Sequence, residues 1–128
     1  RQIAVEYLSL HFETPDQPLS SRVRQTLRRT LSSNLVNKEE ISNLLGMHPR
    51  TLQRRLAMER TSFEEIRDDL RKETALRYLR ESNIPLKQLA GLLGLSEQSA
   101  LGRSCRRWFG ASPARLRTAS IRRLPTLY

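Results

Sequence analysis

The chain repeats itself. Ile41-Ser42-Asn43-Leu44-Leu45-Gly46-Met47 lines up with Leu89-Ala90-Gly91-Leu92-Leu93-Gly94-Leu95 at an offset of 48 residues, and Leu52-Gln53-Arg54 lines up with Leu101-Gly102-Arg103 at an offset of 49. One residue inserted in the second turn accounts for the change of offset. Each copy reads as a short apolar helix, a glycine turn and a second helix with arginine on its outer face. That order is the layout of a helix-turn-helix, in which the first helix braces the second. A small residue inside the first helix, Ser42 or Ala90, lets the pair cross closely. The glycine is expected to reverse the chain where a side chain would clash. One copy alone describes any helical hairpin in a bundle; two copies with matched arginines constrain the chain much further.

Helical spacing dominates the remainder, and strand signals are nearly absent. Arg1 to Phe12 is apolar-rich and fits either strand or helix, and Thr14-Pro15-Asp16-Gln17-Pro18 is a linker signal. Ser20 or Ser21 is expected to cap a helix with Val23, Leu27 and Leu31 on one stripe, ended by Ser32-Ser33-Asn34. Asn37 with Glu40 forms a capping box for the first brace helix. Thr61 or Ser62 opens a longer helix with Phe63, Ile66, Leu70, Ala75, Leu76 and Leu79 as its apolar face, broken at Ser82-Asn83-Ile84-Pro85. Pro85 suits the first turn of the next helix, and Ser96 is expected to cap the second basic one. A last helix runs from Ala114 to about Ala119.

The expected fold is all-α: two helix-turn-helix subdomains joined by a long linker helix, about seven helices in total. The expected division is 1–18 as the remnant of an N-terminal domain or linker, 19–61 as the first subdomain and 62–82 as the linker helix. The second subdomain is 83–119, followed by a tail, 120–128. The start at Arg1 carries no initiator Met and no signal-peptide pattern, so the chain reads as a fragment of a longer protein.

Charge narrows the partners. The formal net charge is +10, which draws a chain toward polyanions such as nucleic acid or an anionic membrane. Of the 23 basic residues only Lys38, Lys72 and Lys87 are lysine. Arginine suits bidentate contacts to phosphate and guanine, although a GC-rich genome would also favour it. Positive charge is concentrated after Ser82, where Glu97 is the one acid, whereas Phe63 to Ser82 is nearly balanced. A balanced helix fits a strut better than a contact surface. From Ser62 to Glu81 spans roughly 30 Å at about 1.5 Å per residue, close to the ~34 Å turn of B-DNA. Such a strut can hold two reading helices near successive major grooves.

The run from Leu86-Lys87-Gln88-Leu89-Ala90 through Gly94 to Arg106-Arg107-Trp108-Phe109-Gly110-Ala111-Ser112-Pro113 and Arg117 resembles the signature of AraC/XylS-type transcription regulators. Leu45-Gly46-Met47-His48-Pro49-Arg50-Thr51-Leu52-Gln53-Arg54-Arg55-Leu56 is similar to that family's first unit, and Thr61-Ser62-Phe63 with Ala75-Leu76-Arg77-Tyr78-Leu79 to its linker helix. The resemblance covers about Leu19 to Ala119, and the Pro49 to Leu56 run is most like the branch of ornithine-utilisation and virulence regulators. It implies seven helices, promoter DNA entered at two adjacent grooves, activation through RNA polymerase, and a small-molecule effector bound by an N-terminal domain. Leu101, Cys105 and Leu95 stand where the family commonly has Phe, and Ser42 where it prefers Ala, so the core is less aromatic.

Direct readout needs side chains near the start of each second helix, three or four apart. The expected base contacts are Arg50, Gln53 and Arg54 in the first unit and Gln98, Ser99 and Arg103 in the second, positions that also match the family's base-contacting sites. Arg suits guanine O6/N7 and Gln suits adenine N6/N7. The expected phosphate contacts are His48, Thr51, Arg55, Ser96, Arg106 and Arg107, with Arg55, Arg106 and Arg107 equally suited to be structural partners. The partner is double-stranded DNA in a cytoplasmic, nucleoid-associated setting.

Other classes fare worse. His11 and His48 lie far apart, and no Ser/His/Asp set, glycine-rich phosphate loop or metal-ligand spacing occurs, so no enzyme, cofactor or metal is expected. No apolar run of 18 residues exists, so no membrane partner is expected. The single cysteine, Cys105, is read as a small buried apolar residue. Trp108 and Phe109 are read as core, which leaves no stacking platform for single-stranded RNA. A basic helical protein-interaction module is the alternative.

Overall fold

The structure, a computed structural model, describes residues 17–31 and 37–118. Among them are seven helices and no strand: α1 Leu19–Thr30, α2 Lys38–Leu44, α3 Pro49–Met58, α4 Phe63–Glu81, α5 Leu86–Leu92, α6 Gln98–Phe109 and α7 at 113–118. The expectations placed on Arg1 to Asp16, on the Ser32-Ser33-Asn34 stop, on Ala119 and on the 120–128 tail lie outside the described residues.

Four helices begin on caps that the sequence supplies, the last being α7, where Ser112 Oγ accepts from the Arg115 amide at 3.3 Å. Asn37 Oδ1 accepts from the Glu40 amide at 2.8 Å and opens α2. Ser62 Oγ accepts from the Glu65 amide at 3.1 Å and opens α4. His48 Nδ1 accepts from the Arg50 amide at 3.1 Å, with Pro49 at the first helical position of α3, where its missing N–H costs nothing.

Three other starts differ from the sequence reading. Neither Ser20 nor Ser21 caps α1, whose N-cap is Pro18. The carboxylate of Glu59, just past α3, instead accepts from the amides of Leu19 at 2.9 Å and Ser20 at 3.1 Å. Pro85 sits one residue earlier than expected, at the N-cap of α5. Ser96 does not cap α6: the N-cap is Glu97, with no side-chain cap bond. The repeat explains the last shift. Met47 pairs with Leu95 at an offset of 48, and the N-caps His48 and Glu97 pair at 49. Ser96 is therefore the inserted residue, and it lies in the turn.

The two turns close in the same way. After α2, the Gly46 amide donates to the Asn43 carbonyl at 3.0 Å and the Met47 amide to the Ser42 carbonyl at 3.0 Å. After α5, Gly94 donates to Gly91 at 3.0 Å and Leu95 to Ala90 at 2.9 Å. Both are Schellman closures, which satisfy the last free carbonyls of a helix and need positive φ at the first of the two donors. Gly46 has φ 71° and Gly94 φ 76°. The expected steric reason is not the operative one at Gly46, where a Cβ would meet nothing within 4 Å; the backbone angle alone demands glycine.

The small residues behave as expected. Ser42 and Ala90 are buried at 0 % and 1 % exposure, so nothing larger separates each brace helix from its neighbours. Ser42 satisfies its hydroxyl by donating to the Lys38 carbonyl. Leu52 and Leu56 of α3 and their counterparts Leu101 and Cys105 of α6 are each 0 % exposed. The Leu and Cys that replace the family's Phe therefore lie fully in the core, while Leu95 is half-buried against it. Trp108 and Phe109 pack edge-to-face at the core margin, ring centres 5.9 Å apart.

The long helix α4 does not carry one apolar face. At about 100° per residue, Phe63, Ile66 and Leu70 cluster on one side, and Ala75 and Leu79 lie about 165° away from them. All five are buried, whereas Leu76 is only half-buried. The Phe63–Leu70 side also carries Glu73, which pairs with Arg24 of α1 at 2.9 Å and Arg28 at 3.7 Å. The Ala75–Leu79 side also carries Asp68, Arg71 and Lys72, whose partners lie on α6 and in the turn between α5 and α6. The helix thus presents opposite faces to the two halves of the chain. Two of its acids, Asp68 and Glu73, serve arginines on neighbouring helices. The buried residues of both halves form one continuous cluster.

Candidate nucleic-acid interface

Packing decides which side of α3 and α6 is left for a partner. Leu52 and Leu56 point α3 inward, so Arg50 and Arg54 lie on the opposite side and are exposed. Leu101 and Cys105 do the same for α6, and Ser99 and Arg103 occupy the two equivalent outward places, both exposed. Gln53 and Gln98 are exposed on the flanks. The six expected base-contacting residues therefore all reach the surface, on the outward and flanking positions of two equivalent helices.

On α6 the side chains converge. Gln98, Ser99, Arg103 and Arg106 line one shallow groove whose far wall is Leu86 with Ser112, Pro113 and Ala114. The Ser99 hydroxyl donates to Glu97 Oε1 at 2.7 Å, which places a carboxylate beside the leading end of the helix. On α3, Lys38 Nζ donates to Gln53 Oε1 at 3.3 Å, leaving the Gln53 amide N–H groups unengaged by that contact. His48 accepts at Nδ1 in capping α3, so in this geometry Nε2 carries the ring proton and can donate outward.

The expected phosphate contacts divide into two groups. His48, Arg55, Ser96 and Arg106 are exposed and Thr51 is half-buried. Arg107 is already engaged: its two Nη atoms donate to Asp68 at 3.0 and 2.9 Å. Trp108 Nε1 donates to the same carboxylate at 3.0 Å. The hydrogen bond from Arg107 holds the Asp68 carboxyl below its usual range against the opposing effect of partial burial, and the same bond raises Arg107.

Three residues that position this surface escaped the sequence reading. Arg71 of α4 donates from Nε to the Leu93 carbonyl at 2.7 Å and from Nη2 to the Gly94 carbonyl at 3.2 Å, inside the second turn. Burial pulls its guanidinium below the usual range. Asp68 holds α6, and Glu59 caps α1. Each reaches 22 to 40 residues along the chain, so no local pattern marks it. The one available signal was the balanced charge of α4, whose acids invite arginine partners. Among the described residues no group of His, Cys, Asp or Glu could hold a metal ion, and no helix is long and apolar enough to cross a membrane.

Two helix-turn-helix units sharing one long two-faced helix define a class of protein. The chain belongs to the AraC-type helix-turn-helix family: residues 41–119 match the family described as Helix-turn-helix domain. It is 46 % identical over 117 residues to the HTH-type transcriptional regulator VirS of Mycobacterium tuberculosis, covering 91 % of this chain and 34 % of that protein. It is 34 % identical over 101 residues to the ornithine utilization regulator of Pseudomonas aeruginosa, covering 79 % of this chain and 30 % of that one. These two relatives fit the branch to which the Pro49–Leu56 run pointed. Among solved structures, the DNA-binding domain of AdpA, a global transcriptional factor in complex with a target DNA, superposes with a TM-score of 0.72 at 26 % identity, covering 86 % of this chain and 98 % of that one. The chain spans about a third of the length of the curated relatives it matches.

Proposed function

We propose that this chain is the DNA-binding part of a transcription regulator and that α3 and α6 enter successive major grooves of promoter DNA. The observation that carries this reading is the equivalence of Arg50 and Arg54 with Ser99 and Arg103, exposed at matching places on two helices braced in the same way. The net charge of +10 supplies attraction to the backbone, and the likeness to a domain solved on its target DNA supports the same partner. Base contacts are assigned to Arg50, Gln53, Arg54, Gln98, Ser99 and Arg103. Phosphate contacts are assigned to His48, Thr51, Arg55, Ser96 and Arg106.

The proposed division keeps 19–61 and 83–119 as the two reading units, with 62–82 as the helix they share. Residues 1–18 belong with an N-terminal effector domain, and 120–128 form a tail. In this reading the protein acts in the cytoplasm at the nucleoid, activates transcription through RNA polymerase, senses its effector through the other domain, and catalyses nothing. Alanine at Arg54 or Arg103 tests the core of it. Each substitution weakens the cognate duplex by roughly 1–3 kcal/mol and random duplex much less. Equal loss on both would reduce the residue to a backbone contact.

A further inference from the structure

The two outward faces differ at one flank. The residue of α3 that corresponds to Arg107, at the same offset of 49, is Met58, which is 77 % exposed. On α6 Arg107 lies about 40° around the helix from Arg103, near enough to the outward face to reach a duplex docked there. It does not point freely: Asp68 of α4 takes both Nη atoms and the Trp108 Nε1 at once. The Arg107 side chain is still 59 % exposed and that of Asp68 38 %, so the pair sits at the surface where a phosphate could compete for the guanidinium.

We infer that Asp68 is a positioning residue that keeps Arg107 off the DNA backbone and so limits sequence-independent affinity. This rests on the DNA-binding reading above. A phosphate contact strengthens binding to every sequence and carries no base information. The unit that already presents Arg103 and Arg106 thus gains little discrimination from a third arginine on phosphate, while random DNA would hold it longer. The same carboxylate ties α6 to α4 through Arg107 and Trp108, so the groove residues Gln98, Ser99, Arg103 and Arg106 meet the duplex from a fixed base.

The test is the salt dependence of the 128-residue chain on a random-sequence duplex, compared with Arg107→Ala, Asp68→Asn, Asp68→Glu and the Asp68→Asn/Arg107→Ala double variant. Arg107→Ala is expected to keep the wild-type slope of log affinity against log salt. Asp68→Asn is expected to steepen it by about 0.9, so that moving from 200 to 50 mM salt tightens this variant about 3.5-fold more than wild type. The double variant returns to the wild-type slope, and Asp68→Glu stays there. A slope made shallower by about 0.9 in Arg107→Ala would overturn the inference, because Arg107 would then already lie on phosphate; this arm decides the matter even if Asp68→Asn does not fold. An unchanged slope in a folded Asp68→Asn would also overturn it. Wild type with no salt-dependent binding to duplex would instead remove the DNA-binding reading beneath it.

Discussion

Arg71, midway along α4, donates to the Leu93 carbonyl at 2.7 Å. The contact joins the shared helix to the turn of the second unit at the point where α5 runs out of its own hydrogen-bond donors. The opposite side of α4 carries Ile66 and Leu70 into the buried cluster and Glu73 to α1. One helix thus fixes both halves, with buried packing and a charged contact on each face.

Replacing Arg71 with Met keeps the half-buried stem and removes both carbonyl contacts. Hydrogen bonds from a charged donor contribute about 1.5–3 kcal/mol. Arg71→Met is expected to lower stability by that amount in urea unfolding, with the m-value unchanged. A loss near zero would mean water serves the Leu93 and Gly94 carbonyls equally well.

Gly46 separates backbone strain from steric clash. Its φ of 71° is costly for alanine, while the space around a Cβ is open. Gly46→Ala is expected to destabilise by roughly 1–2 kcal/mol, and Gly46→Asn by less, since asparagine tolerates that region better. Equal losses for the two would point to packing in place of φ.

Glu59 should make stability depend on acid. Burial raises its carboxyl, but hydrogen bonds from Ser20 and Leu19 outweigh that and leave it below its ordinary 4.5. A lowered native value stabilises the fold above pH 4.5 and loses that contribution as pH falls through the native value. Glu59→Ala is expected to cost about 1 kcal/mol at neutral pH, as loss of a helix cap does, and the gap from wild type should narrow below pH 4.5. Paired urea titrations at the two pH values check both the size and the direction.

Cys105 should be chemically silent. It is 0 % exposed, and burial pushes its thiol up to about 11. An aromatic disulfide reagent at pH 8 is expected to label it only at the rate at which the protein opens. Rapid labelling of the native chain would contradict the core placement.

The sequence revealed what is local or periodic. The repeat located both turns, and the caps at Asn37, His48 and Ser62 lie within three residues of the amides that donate to them. The outward arginines followed from their place near the start of each second helix, half a turn from the buried Leu52 and Leu101. The two faces of α4 were harder to see, because Phe63–Leu70 and Ala75–Leu79 blur into one apolar list until opposite neighbours are known. Ser96 misled because a serine before a helix is a good cap by type, yet here it is the residue that one turn has and the other lacks. Asp68, Arg71 and Glu59 act across the chain, and their partners are either backbone groups or one of many arginines.

The reading of two grooves from one rigid body is tested most directly by spacing. Hydroxyl-radical footprinting on the cognate promoter should show two protected patches about one helical turn apart on one face of the duplex, roughly 10 base pairs centre to centre. Inserting about five base pairs between them turns the second site to the far side and should abolish joint protection and leave one patch. Two patches that survive the insertion with unchanged affinity would contradict the account, since helices fixed to a common α4 could not follow.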